Sequence, residues 1–285
     1  MIRRYSAPLG AAVFGVLCAG LEWYNRVRGF GGDGLPVRGH PSFPLLCAAI
    51  AVGLAVCALS ARSYKINEKW QFEDYFAGDS TLLKLISVVG GLLLILGGVG
   101  GIAAGALSLG SAGAFINLFG PSVLPGFILG LLALAAGAVC IPLAKAQAAG
   151  KIDEGNAAST LLLMAWAAFD LILVFKDNNT NPYFGRYMVD LLTGVALTVA
   201  FLFYSRFLYS KPMPRRFLFF AGAGVVLSFA LAGGSALAVL LPGEGAGVFP
   251  ADLMRFVSAL GAGVYLLGQM IRMCAPRRQS YYWQD

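Results

Sequence analysis

Long apolar segments separated by short polar ones make up this 285-residue chain. Residues 85–144 contain no charged side chain, and this run of 60 residues is long enough for two membrane-spanning helices of about 20 residues each and a turn. Clusters of glycine, proline and asparagine separate the other apolar segments. The pattern predicts an all-α bundle of eight transmembrane helices, at residues 7–24, 43–61, 82–107, 123–143, 157–175, 187–209, 217–240 and 252–273.

The composition agrees with a membrane protein and excludes several other classes. Hydrophobic residues make up 58% of the chain and charged residues 12%, and the mean hydropathy is +0.75. A soluble domain contains about 25% charged residues, so a soluble enzyme, a disordered protein and a secreted disulfide scaffold are all excluded. We expect one transmembrane domain over residues 1–285 in a lipid bilayer, no sizeable soluble domain and no nucleic-acid partner. The five cysteines show no paired spacing and are expected to be reduced, buried thiols.

Basic residues predict the orientation. With eight spans both termini lie on one side, and that side receives fifteen of the 21 lysines and arginines. Because basic residues accumulate in cytoplasmic loops, we expect both termini to be cytoplasmic in the cell membrane. The apolar segment near the N-terminus is similar in composition to a signal peptide, but the residues before a cut at Ala19 or Gly20 fit a cleavage site poorly. It is therefore expected to be a retained helix.

Small residues predict close helix packing. The third predicted helix contains Gly97, Gly101 and Gly105, a spacing that lets two backbones approach closely in lipid. This interface lies either within the chain or between copies in a homo-oligomer, or against another membrane protein. The halves 1–150 and 151–285 are also alike in outline, which suggests two parallel four-helix repeats, although Ala-, Leu- and Gly-rich helices align easily by chance.

Three acidic residues fall inside predicted spans, where an ionisable group costs about 2.5 kcal/mol or more at the bilayer centre. Glu22 has Arg26 one turn later, and Asp190 has Arg186 one turn earlier, so each can form a local ion pair. Asp170 has no base one turn away. Its partner must therefore come from elsewhere in the bundle, from water or from a proton, and we expect Asp190 and Arg186 to be near it.

Two functions are compatible with these residues. The first is a small-solute transporter or permease, with a substrate or ion site formed by Asp170, Asp190, Arg186 and Glu22. In that interpretation Asp170 is the coupling carboxylate, whereas a structural ion pair is the alternative. The second is a non-transporting scaffold, sensor or regulatory subunit that binds a partner through the cytoplasmic loop 62–81 and the C-terminal tail.

An enzyme is the weakest interpretation. No nucleophile–base pair, phosphate-binding loop or metal-ligand spacing is visible, and the one histidine, His40, precedes a proline in a loop. We therefore expect no catalytic residues, no metal and no cofactor. Two loops stand out: residues 69–81 are expected to lie along the membrane interface, and residues 108–122 form either an interfacial hook or a re-entrant segment.

Overall fold

The computed structural model describes residues 5–31, 35–64, 72–76, 80–111, 123–150, 154–180, 183–209, 212–242 and 250–275. Within these ranges the chain is helical, apart from turns and an isolated β-bridge between Phe30 and Pro36. The helices are α1 (Ser6–Arg28), α2 (Ser42–Arg62), α3 (Phe72–Phe76), α4 (Thr81–Ser111), α5 (Val123–Ala149), α6 (Glu154–Asn178), α7 (Phe184–Leu208), α8 (Pro214–Leu240) and α9 (Pro250–Cys274).

All of these except α3 are long and apolar enough to cross a membrane, which confirms the prediction of eight such helices. The largest difference in position is in α5, which the sequence predicts to end at residue 143. The helix continues past Pro142 and ends at Ala149. Gly150 follows with a positive φ of 71°, which suits a glycine after a helix terminus. The extra turn brings Gln147 into the bundle, where its side chain is buried.

The short helix α3 packs into the bundle. Phe72, Tyr75 and Phe76 are all buried. The Phe76 ring lies 5.3 Å from the Tyr204 ring and 5.7 Å from the Phe217 ring, between centroids, in edge-on geometry. The described part of the 69–81 segment therefore presents its aromatic side chains to α7 and α8, and not only to a membrane interface as the sequence suggested.

The long helices alternate in direction, so the bundle has two ends. We call the end at which α1 begins the proximal end, and the end at which α1 finishes the distal end. Gly10 and Phe14 of α1 lie beside Val56 and Gly53 of α2, so α1 and α2 are antiparallel. Gly15 and Glu22 of α1 lie beside Phe229 and Gly234 of α8, so α1 and α8 are parallel. The predicted four-helix repeat stays a prediction.

Helices α7, α8 and α9 are the most buried of the long helices. Helix α8 packs against α1, α2, α7 and α9, and α9 packs mainly against α4 and α8. The outer faces of the surrounding helices carry large exposed apolar side chains, such as Leu9, Val16, Leu59 and Leu96. An apolar surface of this kind suits a lipid environment, because water would leave these side chains unfavourably hydrated.

Candidate functional site

An ion-pair cluster lies at the distal end, built from three helices. Arg255 of α9 pairs through Nη2 with Oδ2 of Asp190 on α7, and this contact is also a hydrogen bond. Its Nε lies 3.5 Å from Oδ1 of Asp170 on α6. Arg255 Nε and Asp170 Oδ1 have no hydrogen-bond partner among the described residues. Arg255 is therefore bound firmly to Asp190 and more loosely to Asp170.

A second ion pair lies beside the first. Nε of Arg26 is 2.6 Å from Oε1 of Glu22, one turn earlier in α1, as the sequence predicted. Glu22 is buried, and its Oε2 has no hydrogen-bond partner among the described residues. The Phe256 ring lies near both guanidinium groups, 5.5 Å from Arg26 Cζ and 5.3 Å from Arg255 Cζ. These are cation–π distances, and they link the two ion pairs.

The structure therefore brings three of the four predicted site residues, Glu22, Asp170 and Asp190, to one end of the bundle. The side chain of the fourth, Arg186, lies outside the described residues. Sequence reasoning missed Arg255, because it searched for a base one turn away or in the neighbouring helix. One signal could have found it: among the bases assigned to the outer side, Arg255 was the one placed inside a predicted span.

A cavity of about 300 Å³ borders this cluster. Its walls come from α4, α5, α6 and α9. It runs from Asp177 and Asp252 at the distal end to Trp166, eleven residues deeper along α6, which is about 16 Å at 1.5 Å per residue. Arg255 and Ser258 line the α9 side. This depth is about half the thickness of a hydrocarbon layer, which is about 30 Å.

Trp166 provides an unused hydrogen-bond donor in this wall. Its side chain is completely buried, yet its indole N–H has no partner among the described residues. Buried Trp N–H groups usually have a hydrogen-bond partner, because leaving a donor unpaired is unfavourable. A ligand or water with an acceptor group in the cavity would satisfy it.

The glycines of α4 have different roles on different faces. A Cβ on Gly97 would collide with Ser258 and approach the backbone oxygen of Met254 to 2.6 Å, so Gly97 permits close packing on α9. Gly101 lines the cavity, and a Cβ there would meet nothing within 4 Å. Gly105 faces the Phe127 ring of α5. The motif is thus used within the chain, and its predicted role in oligomers stays a prediction.

A polar cluster closes the proximal end. The Gln147 side-chain amide donates to Tyr204 Oη at 2.7 Å and to Gln269 Oε1 at 2.9 Å. Gln269 Nε2 lies 3.4 Å from Ser87 Oγ, and the hydroxyl groups of Tyr204 and Tyr265 are 3.1 Å apart. All five side chains are buried. We call them the proximal polar cluster; none was singled out from the sequence.

Other segments that the sequence analysis considered lie only partly within the described residues. The five cysteines are free thiols, and four of them are buried. The loop after α1 is ordered where it is described, with Gly31 N–H donating to Leu35 O and Val37 N–H donating to Gly29 O. The segment 112–122 and the C-terminal tail after residue 275 lie outside the described residues. Among the described residues, no group of three His, Cys, Asp or Glu side chains is placed to hold a metal ion.

Comparisons with protein-family models, with curated proteins and with solved structures gave no match to this chain. Its class therefore follows from the fold. Eight long apolar helices around a charged, cavity-bearing interior are compatible with a multi-pass membrane protein, and they suggest a lipid bilayer as its environment.

Proposed function

We propose that the protein is a transporter of a small polar solute in the cell membrane, with both termini in the cytoplasm and the distal cavity as its outward-facing binding site. The observation that carries this proposal is the cavity itself, about 300 Å³ in volume, with Arg255 and Asp252 in its wall. Charged groups inside a membrane bundle are costly, and they commonly line solute pathways. A purely structural bundle has no need of a cavity that reaches its middle.

Asp170 is the proposed coupling group. Asp190 holds the hydrogen bond of Arg255, so Asp170 keeps an oxygen that no described donor satisfies. A proton or another cation at Asp170 would weaken the ion pair between Asp170 and Arg255. Arg255 would then be paired with Asp190 only. Such an exchange links cation binding to the shape of the cavity wall, because Arg255 lies in that wall.

Binding to the purified protein tests the proposal. Melting temperatures would be measured in detergent across neutral, cationic, anionic and zwitterionic metabolites and several pH values. A ligand present at 100 times its Kd stabilises the native state by about 2.7 kcal/mol. We expect at least one compound to stabilise the wild type and to lose its effect in Gly101→Leu, which places a side chain in the cavity.

The matched control is Gly20→Leu on α1, where an added Cβ also meets nothing within 4 Å but no cavity is lined. It should keep the full ligand effect. Asp170→Asn should keep binding and lose its dependence on pH or cations. The proposal fails if no compound stabilises the wild type, or if Gly101→Leu responds as Gly20→Leu does.

A further inference from the structure

One face of α9 is polar along most of its length. Arg255, Ser258, Tyr265, Gln269 and Arg272 recur at spacings of three, four or seven residues, which places them on the same side of the helix. This side points into the bundle, since the last four are all buried. From Arg255 to Arg272 it extends about 25 Å at 1.5 Å per residue, nearly the thickness of the hydrocarbon layer.

The two parts of this polar face differ. Its distal part borders the cavity through Arg255 and Ser258. Its proximal part belongs to the proximal polar cluster, where Tyr265 and Gln269 hydrogen-bond to residues of α4, α5 and α7. The same helix face is thus open at one end and closed by side-chain hydrogen bonds at the other. A solute moving from the cavity along α9 would next meet the proximal polar cluster.

Arg272 lies at the proximal end of this polar face, and part of its guanidinium group has no hydrogen-bond acceptor among the described residues. Its exposed fraction is 5%, and Nη1 makes a 3.4 Å contact with the backbone oxygen of Phe76. Nε and Nη2 have no hydrogen-bond partner among the described residues. These two nitrogens share one edge of the guanidinium group, where their N–H bonds are parallel and match the two oxygens of a carboxylate. The unused edge therefore fits a carboxylate better than a single carbonyl.

The charge around the distal cavity adds a second requirement. The charged side chains in the cavity wall are two basic and two acidic: Lys176 and Arg255, and Asp177 and Asp252. Asp170 and Asp190 already compensate the charge of Arg255, so the two carboxylates of the wall outnumber its one other base. An excess of carboxylates favours a ligand with a positive charge and disfavours a simple anion. The indole N–H of Trp166 has no hydrogen-bond partner among the described residues, so the same ligand would also need an acceptor group to pair with it.

We propose that the solute is a small zwitterion with one ammonium and one carboxylate group, such as an amino acid, and that Arg272 binds its carboxylate at a second site beside the proximal polar cluster. This inference rests on the proposed transport function. At the distal cavity the carboxylate of Asp252, which lines the wall, attracts the ammonium group. At the proximal end the unused edge of Arg272 receives the carboxylate after the hydrogen bonds of the proximal polar cluster open.

The first test compares ligand charge on the full-length protein. Thermal stabilisation would be measured with the twenty standard L-amino acids, and the best one would be compared with its decarboxylated amine and its deaminated acid. We expect both analogues to bind about tenfold or more weakly, because the amine loses the acceptor for the Trp166 N–H and the acid loses the ammonium contact with Asp252. Equal binding of the amine or the acid overturns the zwitterion inference and leaves the transport proposal standing. If no compound of any charge binds, the transport proposal itself fails.

The second test separates the two sites. Arg272→Lys keeps the charge and removes the parallel pair of N–H donors. We expect binding from the distal side to change less than about twofold, and uptake of the best amino acid into proteoliposomes to fall about tenfold. Arg215→Lys is the matched control, because Arg215 lies at the same end of the bundle but is exposed. Its uptake should equal that of the wild type.

Two further outcomes would overturn the role of Arg272. One is normal uptake by Arg272→Lys in a folded protein. The other is an equal loss of uptake in Arg215→Lys, which would mean that any lysine substitution at this end of the bundle lowers uptake.

Discussion

At the residue scale, Arg255 is the side chain on which the distal end depends. It is 15% exposed and faces two buried carboxylates, so one positive charge compensates two negative ones. A buried ion pair gives little net stability when it is complete, because each charge must first be desolvated. Removing one partner is far more costly, because it leaves an uncompensated charge inside the bundle. The cluster is therefore more sensitive to loss of Arg255 than to loss of either aspartate.

Arg255→Met should lower the free energy of unfolding by about 3–5 kcal/mol, because Asp170 and Asp190 both lose their counter-charge. Denaturant titration of the purified protein in micelles would measure this. Arg28→Met is the control, since Arg28 lies at the same end and is exposed.

Asp190→Asn should lower the free energy of unfolding more than Asp170→Asn does, because only Asp190 hydrogen-bonds to Arg255. An Arg255→Met protein as stable as Arg28→Met would contradict this interpretation.

At the element scale, α4 shows how one glycine-rich sequence serves two neighbouring helices. A Cβ on Gly90 would lie 2.8 Å from the backbone oxygen of Gly261 in α9, and one on Gly91 would lie 2.8 Å from that of Gly137 in α5. The same alternation recurs one heptad later, where Gly97 faces α9 and Gly98 faces α5. Adjacent glycines thus allow α4 to approach both helices closely, as small residues do in membrane bundles.

Alanine substitutions along α4 should separate packing glycines from cavity glycines. Gly97→Ala and Gly98→Ala should each cost about 1–3 kcal/mol, because the new methyl group meets backbone atoms that cannot move aside. Gly101→Ala should be neutral or stabilising by up to about 1 kcal/mol, because it fills open space and favours the helix. The comparison uses unfolding titrations, with Gly20→Ala as a second open-space control. Equal losses at Gly97 and Gly101 would show that Gly101 also packs tightly.

At the scale of the whole molecule, the bundle is arranged around α8 and α9. Helix α8 packs against α1, α2 and α7, and α9 packs against α4. The polar face of α9 contacts side chains of α4, α5, α6 and α7. Because α9 contributes Arg255 at the distal end and Arg272 at the proximal end, one helix connects the two polar regions. The charged cavity and the proximal polar cluster therefore lie at opposite ends of the same interior surface.

The orientation of the whole molecule can be tested on intact cells. In a cysteine-free background, Arg38→Cys at the distal end and Ser63→Cys at the proximal end both place a thiol at an exposed position. Because basic residues predict cytoplasmic termini, a membrane-impermeant maleimide should label Arg38→Cys before lysis and Ser63→Cys only after permeabilisation. The reverse labelling pattern would invert the bundle, and the proposed outward-facing cavity would then face the cytoplasm.

The sequence by itself determined the number of long helices and most of their positions, because hydropathy is a local property and a span needs only its own apolar residues. It also identified Asp170 as an acid without a local partner. Only the tertiary structure decided that Arg255 is that partner, that Gly101 faces a cavity while Gly97 faces α9, and that Gln147, Tyr204 and Gln269 meet. These contacts depend on which helices are neighbours and how each is rotated. In a uniformly apolar bundle these choices follow from packing over the whole molecule, and no local pattern specifies them.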